Sequence, residues 1–284
     1  MEQLCGGLYT GERALFSVSD LKISKGVFED GESPLKHSRN IMLLDSEFRW
    51  KYPLWYSNTI QVRDCTFTGT ARAGIWYTNN ISVCNTVYDA PKGFRRCDGI
   101  ELENVTFSNA AETLWQCRNV SLKNVKAKGD YLAMNCGNVK VDNLELEGNY
   151  SFDGGRSITV TNSRLLSKDA FWNSENIYVK NSYISGEYLG WNSRNLTFED
   201  CTLESLQGLC FIEGLRLINC RLVNTTLSFE YSSGIDAEIT GSVDSVKNPS
   251  SGIIRAGGIG ELIMEPERVD VTKTEIIITG TEES

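Results

Sequence analysis

The sequence lacks the signals of several protein classes. No two cysteines stand at the close spacing of a zinc site, and nine cysteines, an odd number, argue against a disulfide framework. No segment reaches the apolar length of a membrane span. The opening stretch MEQLCGGLYTGERALF has no basic run followed by an apolar one, the signature of a secretory leader. Basic residues are in deficit, 28 against 37 acidic, so the net charge is −9. That balance argues against a general nucleic-acid or membrane-surface binder, since both partners are anionic. A single histidine, His37, leaves little room for imidazole chemistry. These absences predict a cytoplasmic protein with free, mostly buried thiols (extracellular or periplasmic if a leader has been removed), with no metal and no cofactor.

What is present is a repeat. Apolar anchors recur at Leu21, Ile41, Ile60, Ile81, Ile100, Val120, Val139, Ile158, Ile177, Leu196, Leu215 and Ile235, in steps of 19 to 21 residues. A second apolar residue follows two places on, from Ile23 to Leu217, with mostly polar residues between. Alternation of period two is the mark of a half-buried strand. Four places after the anchor stands Asp or Asn, ten times running from Asp45 to Asn219. Asn40, Asn80, Asn119, Asn138, Asn176 and Asn195 stand just before it. Asn accepts left-handed backbone angles and so turns corners, and stacked amides satisfy one another. Seven places after the anchor run Phe28, Phe48, Phe67, Tyr88 and Phe107, then smaller residues, which predicts an internal stack. Cys97, Cys117 and Cys136 share one lattice position, and Cys65, Cys201 and Cys220 another, as small buried thiols would.

A fixed period of this length with three strand-like pieces per turn predicts an all-β fold: one right-handed parallel β-helix of about 12 coils with N- and C-terminal caps. The whole chain, 1–284, reads as one domain: an N-terminal cap over 1–18, coils over 19–240, and a C-terminal coil and cap over 241–284. The caps are expected because exposed sheet edges invite aggregation.

One outward column is unusual. Five places before the anchor, where polar residues are normal, stand Lys36, Trp55, Trp76, Arg95, Trp115, Met134, Asp153, Trp172 and Trp191, which hold five of the six tryptophans. The next position adds His37, Tyr56, Tyr77, Arg96, Gln116, Asn135, Asn173 and Asn192, and flanking positions add Arg72, Lys92, Glu112, Asp130, Asp169 and Glu187. The outward column of the anchor strand, with Gln61, Ser82, Glu101, Ser121 and Lys140, reads as a plain solvated surface.

Rings beside amides and charges of both signs suit an oligosaccharide or a small anionic sugar. The apolar sugar face stacks on a ring, and hydroxyls bond the planar polar groups. The candidate binding residues are Trp55, Trp76, Trp115, Trp172, Trp191, Tyr56, Tyr77, Lys36, His37, Arg72, Lys92, Asn135, Asn173 and Asn192. Glycoside hydrolysis needs paired carboxylates, for which Asp153 with Asp169, or Glu112 with Asp130, are candidates. Elimination from a uronate needs a base and a cation, which Arg95 and Arg96 offer beside Lys92. A non-catalytic glycan-binding face, a self-associating surface that forms a homo-oligomer, and a plain stabilising stack remain open readings of the same column.

The coil pattern over roughly 15–240 resembles the pectin-lyase-like superfamily of right-handed parallel β-helices. The phrases GESPLKHSRN, YPLWYSN, ARAGIWYT, APKGFRR, ETLWQC, GNYSFDGG, SKDAFWNSEN and GEYLGWNSRNLTF look like those of a family of bacterial cytoplasmic β-helix proteins. The resemblance implies the fold. It carries over no catalytic residue, because the clustered calcium-binding Asp of pectate lyases and the Asn-Thr-Asp, Asp-Asp and Gly-His-Gly phrases of polygalacturonases are absent.

Overall fold

In a computed structural model, which describes residues 1–280, the chain forms a parallel β-solenoid of about 15 turns. Among the described residues there is no α-helix, only a 3₁₀ turn at Val271–Lys273. The chain divides into two compact units, Met1–Gly148 and Asn149–Ser284.

In the first unit the anchor strands are Glu2–Cys5, Ser19–Ser24, Arg39–Leu44, Asn58–Arg63, Asn79–Tyr88, Asp98–Phe107, Arg118–Lys128 and Gly137–Glu147. Each pairs with the next in parallel, anchor on anchor: Leu21 on Ile41, Ile41 on Ile60, Ile60 on Ile81, Ile81 on Ile100, Ile100 on Val120 and Val120 on Val139. The alternation decides which side faces in, so Ile41, Leu43, Ile60, Val62, Ile81 and Val83 are all buried. Inside, Phe28, Phe48, Phe67 and Tyr88 stack with ring centroids 4.5 to 4.6 Å apart, one ring per turn.

The second unit repeats the scheme. Ile158 pairs with Ile177, Ile177 with Leu196, and Leu196 with Leu215. Strands Ile235–Lys247, Gly252–Ile263 and Thr274–Ile278 continue it.

The predicted corners form as amide ladders. Asn85, Asn104, Asn124 and Asn143 each donate to the Asp or Asn one turn back at 2.9 to 3.1 Å. Asn181 does so to Asn162 at 2.7 Å and Asn195 to Asn176 at 3.0 Å. All of these residues have positive φ near 50–60°, the left-handed region that Asn tolerates best after Gly. Cys65, Cys97, Cys117, Cys136, Cys201, Cys210 and Cys220 are free and buried. Burial pushes the Cys65 thiol up to about 11 and Cys210 up to about 12, which keeps both unreactive.

The coil count corrects the expectation of about 12. Residues 2–5, assigned by sequence to a cap, already pair with Leu21–Ser24 as a full turn. Glu2 occupies the anchor position there, so no apolar residue marks it. Over 241–284, where sequence placed one coil and a cap, the two strands Gly252–Ile263 and Thr274–Ile278 both stack, and the second was not counted because the steps change. Gly252 pairs with Ile235 and then with Thr274, steps of 17 and 22 residues.

Candidate functional site

In the first unit the short strands Leu54–Trp55, Ile75–Trp76 and Phe94–Arg95 lie in register, so that Trp55, Trp76, Arg95 and Trp115 form one outward column. Leu54, Ile75 and Phe94 point inward and are fully buried. The indoles of Trp55 and Trp76 are stacked, with centroids 5.1 Å apart and planes within 6° of parallel. The Arg95 guanidinium lies between Trp76 and Trp115, 4.5 and 4.6 Å from their ring centres, and Lys36 lies 6.0 Å from Trp55. Each indole N–H is bonded to a backbone carbonyl: Trp55 to Ala73 at 2.6 Å, Trp76 to Lys92 at 2.9 Å, Trp115 to Tyr131 at 2.8 Å.

Neighbouring rings therefore cover one another's faces, and the edges look outward. A sugar that stacks on an indole needs an open face. The second column behaves likewise, with His37, Tyr56 and Tyr77 stacked at 5.2 and 4.7 Å. Glu112 binds Lys92 at 3.1 Å and Arg95 at 3.2 Å, and Arg96 donates to Gln116 at 2.8 Å. The basic cluster that sequence offered as an anion clamp is thus held by Glu112, by rings and by an amide. Arg95 Nε, buried in the sandwich, has no partner among the described residues. Arg72 and Asn135 are exposed.

The second unit is different. Trp172 and Trp191 are 5.9 Å apart but inclined by 62°, Tyr188 meets Trp191 at 5.0 Å and 65°, and Phe211 meets it at 5.0 Å and 58°. Edge-to-face rings do not close each other's faces as parallel rings do. Asp153 stands one turn before Trp172 in the same column, with the Gly154 N–H bonded to the Trp172 carbonyl at 2.8 Å. Asn192 donates to Asn173 at 2.7 Å, and Asn173 donates to Asp153 at 3.4 Å.

Asp169 is the other carboxylate here. Tyr52 packs on Trp55, and Tyr188 on Trp191, each three residues before its tryptophan. Asp169 holds that offset before Trp172, so Trp172 lacks the tyrosine cover. Asp169 is 1% exposed, and one of its oxygens has no hydrogen-bond partner among the described residues. Burial raises its pKa most, with Glu187 and Asp153 adding repulsion against the pull of Lys168 and the Tyr150 hydroxyl. Burial also raises Asp153, which remains half-buried, against the bonds from Asn173 and the Gly154 N–H. Lys168 itself is paired with Glu187 at 2.9 Å.

Sequence reasoning stopped the aromatic column at Trp191. Phe211 and Tyr231 carry aromatics further, one and two turns past Asn192 in the neighbouring column; Phe211 meets Trp191 at 5.0 Å and Tyr231 meets Phe211 at 5.4 Å, and the signal was that column continued. The described residues also hold no cluster of metal-ligating side chains.

The profile of one family, described as "Protein of unknown function (DUF3737)", matches residues 2–277, nearly the full length. The chain belongs to the DUF3737 family. No curated protein matches it in sequence. Among solved structures this DUF3737 chain is similar to the surface adhesin PfbA of Streptococcus pneumoniae (11% identity, TM-score 0.40, 93% of this chain and 81% of that one). It is also similar to the A-module of the mannuronan C-5 epimerase AlgE4 of Azotobacter vinelandii (9%, 0.31, 98% and 88%). A third is a double mutant of the periplasmic alginate epimerase AlgG (7%, 0.29, 97% and 73%). At these values the likeness carries over no residue role.

Proposed function

We propose that this protein acts on carbohydrate, with an oligosaccharide held at Trp172 and Trp191 and proton transfer carried out by Asp153. The supporting observation is two carboxyls raised by burial, Asp153 and Asp169, the second of which feels the first, beside Trp172, whose face is left without the tyrosine that covers Trp55 and Trp191. Raised carboxyls that feel each other mark acid–base sites more often than ordinary surface. Asp153 reaches solvent and is the group that meets the sugar. Asp169 is covered and acts through Asp153 as a positioning and tuning residue, since repulsion between two carboxylates works on both. A carboxyl so placed gives its proton to a glycosidic oxygen in hydrolysis, or takes the proton beside a uronate carboxylate in elimination.

The test is a panel of neutral and acidic oligosaccharides, scored for binding and for cleavage products. Asp153→Asn is expected to retain binding and lose turnover by at least a hundredfold. Trp172→Ala is expected to weaken binding about tenfold or more. A new reducing end without unsaturation identifies hydrolysis, and an unsaturated product identifies elimination. Binding that Trp172→Ala weakens, with no turnover of any sugar, would replace the enzyme reading with glycan binding alone.

The non-catalytic reading has its own support in the first unit. There the parallel Trp55–Trp76 pair and the Arg95 sandwich are fully engaged within the protein, as in a stabilising stack.

A further inference from the structure

The anchor-strand surface of the first unit, which its sequence presents as ordinary solvated sheet, carries a groove. A concavity of about 470 Å³ runs across five successive turns, from Gln61 through Ser82, Glu101 and Ser121 to Lys140. These five side chains lie in strict register, each one turn from the next. The short residues Ser82 and Ser121 flank Glu101, and the long ones, Gln61 and Lys140, stand at the two ends. That order of sizes makes a dip on each side of Glu101, closed by the longer side chains at the two ends.

One wall is the corner column, and it has a notch. Where neighbouring turns carry Asn80 and Asn119, the middle turn carries Gly99 at φ +73°. A Cβ there would sit 3.0 Å from Asn80 Oδ1. Without a side chain at Gly99 the amide ladder is interrupted. Asn119 donates instead to Asp98 at 2.6 Å, and Asn80 Oδ1 accepts no hydrogen bond among the described residues. The groove is centred on this gap, with Gly99 and Glu101 in the same turn.

We infer that this groove binds a neutral oligosaccharide lying along the stack of turns. The exposed side chains of the lining supply hydroxyls, amides, one carboxylate and one ammonium, with no ring and no net charge, while Ile60, Ile81, Ile100 and Val120 line it from the strands but turn their side chains inward. Carbon surface with hydroxyls, amides and balanced charge suits a chain of sugars, which has apolar faces and hydroxyl edges, and does not favour a polymer of one charge. Turns of a parallel sheet recur about every 4.8 Å. Same-side groups of an extended peptide recur only about every 6.6 Å, twice the strand rise, and fall out of step. A pyranose ring is about as long as one turn, so successive sugars meet successive rows. Glu101 accepts from a vicinal pair of hydroxyls at the centre, Asn80 Oδ1 accepts from another at the notch, and Lys140 donates at one end. The site does not depend on Asp153, Asp169 or the tryptophans.

Isothermal titration of the full chain with linear neutral oligosaccharides of two to six units tests it, against Gly99→Asn, Glu101→Gln and Trp172→Ala. Gly99→Asn should fold, because Asn stands at the same left-handed corner in the turns on either side. It rebuilds the ladder and fills the notch. The expected result is affinity that rises with chain length up to about five units, falls at least tenfold in Gly99→Asn and Glu101→Gln, and is unchanged in Trp172→Ala. No binding of any neutral oligosaccharide, or binding that is indifferent to Gly99→Asn and Glu101→Gln, overturns the inference. Loss in Trp172→Ala alone assigns the sugar to the Asp153 site and also overturns it. The unfolding midpoint of Gly99→Asn checks that a loss of binding is not a loss of fold.

Discussion

At the scale of single residues, the tryptophans of the first unit are engaged within the protein. Trp76 lies between the parallel ring of Trp55 and the guanidinium of Arg95. Stacked pairs contribute about 0.5–1.5 kcal/mol beyond area burial, and cation–π contacts about 0.5–2 kcal/mol. Trp76→Ala is therefore predicted to cost about 2 kcal/mol or more in denaturant unfolding, whereas Arg96→Ala, which gives up an exposed bond to Gln116, should cost under about 1 kcal/mol.

Asp169 is predicted to act against stability when ionised. Its folded pKa lies above the unfolded value, so its charge destabilises the fold as pH rises through the interval between the two. Below the unfolded value both states are protonated and the penalty is absent. Asp169→Asn should then be more stable than the wild type at neutral pH, by about 1–3 kcal/mol for relief of a buried charge with one oxygen unsatisfied among the described residues. The gain should shrink toward zero as pH falls below the ordinary carboxylate range. Thermal unfolding across that range measures it, and a gain that is independent of pH would contradict the assignment.

The residue types and columns were legible in the sequence, but the ring planes were not. Periodicity states which face a side chain occupies. It does not state the torsion that turns Trp55 and Trp76 parallel or Trp172 and Trp191 apart. The tyrosine cover was readable in principle, since Tyr52, Asp169 and Tyr188 all stand three residues before a tryptophan. Its meaning depended on knowing that the tyrosine lies on the ring.

At the scale of the turn, regular corners hold the strands in register. Asn104 accepts from Asn124 and donates to Asn85, both one turn away, at φ +54°. Asn104→Ala removes both bonds and puts a Cβ-bearing residue with no local hydrogen bond into the left-handed region, at a cost of about 1–2 kcal/mol for the backbone alone. Asn104→Gly loses the same side-chain bonds without the backbone strain. Chemical denaturation should therefore rank wild type above Gly and Gly above Ala, and equal stability of Gly and Ala would contradict the account.

These corners were the most legible part of the fold, because Asn or Asp recurs at one offset in turn after turn. The first turn was hidden, because Glu2 rather than an apolar residue stands at its anchor. The last turn was hidden because the turn lengths change. The Gly99 groove was hidden for a different reason: a notch is made by a missing side chain, and one glycine in a column of amides draws no attention until its neighbours are placed around it.

At the scale of the whole molecule, a solenoid is a sum of turns, each stabilised mainly by its immediate neighbours. Glu2–Cys5 pairs on one side only and is largely exposed, whereas Asn79–Tyr88 pairs on both and buries its inward residues. Hydrogen exchange should be fast over 2–9 and slowest over 79–107, and uniform protection across both would contradict a turn-by-turn stack. The acidic balance of the chain acts at this scale too, disfavouring anionic polymers in general while leaving each local site its own charge.

The central claim is that sugar meets the protein at Trp172 beside Asp153. The most direct measurement is tryptophan fluorescence during titration with neutral and acidic oligosaccharides, in the wild type, Trp172→Ala and Trp76→Ala. The account predicts a saturable change that is lost in Trp172→Ala and kept in Trp76→Ala, whose ring faces are already taken. No saturable change with any sugar, together with a sedimentation coefficient that rises with protein concentration, would contradict it and make the tryptophan face a surface for self-association.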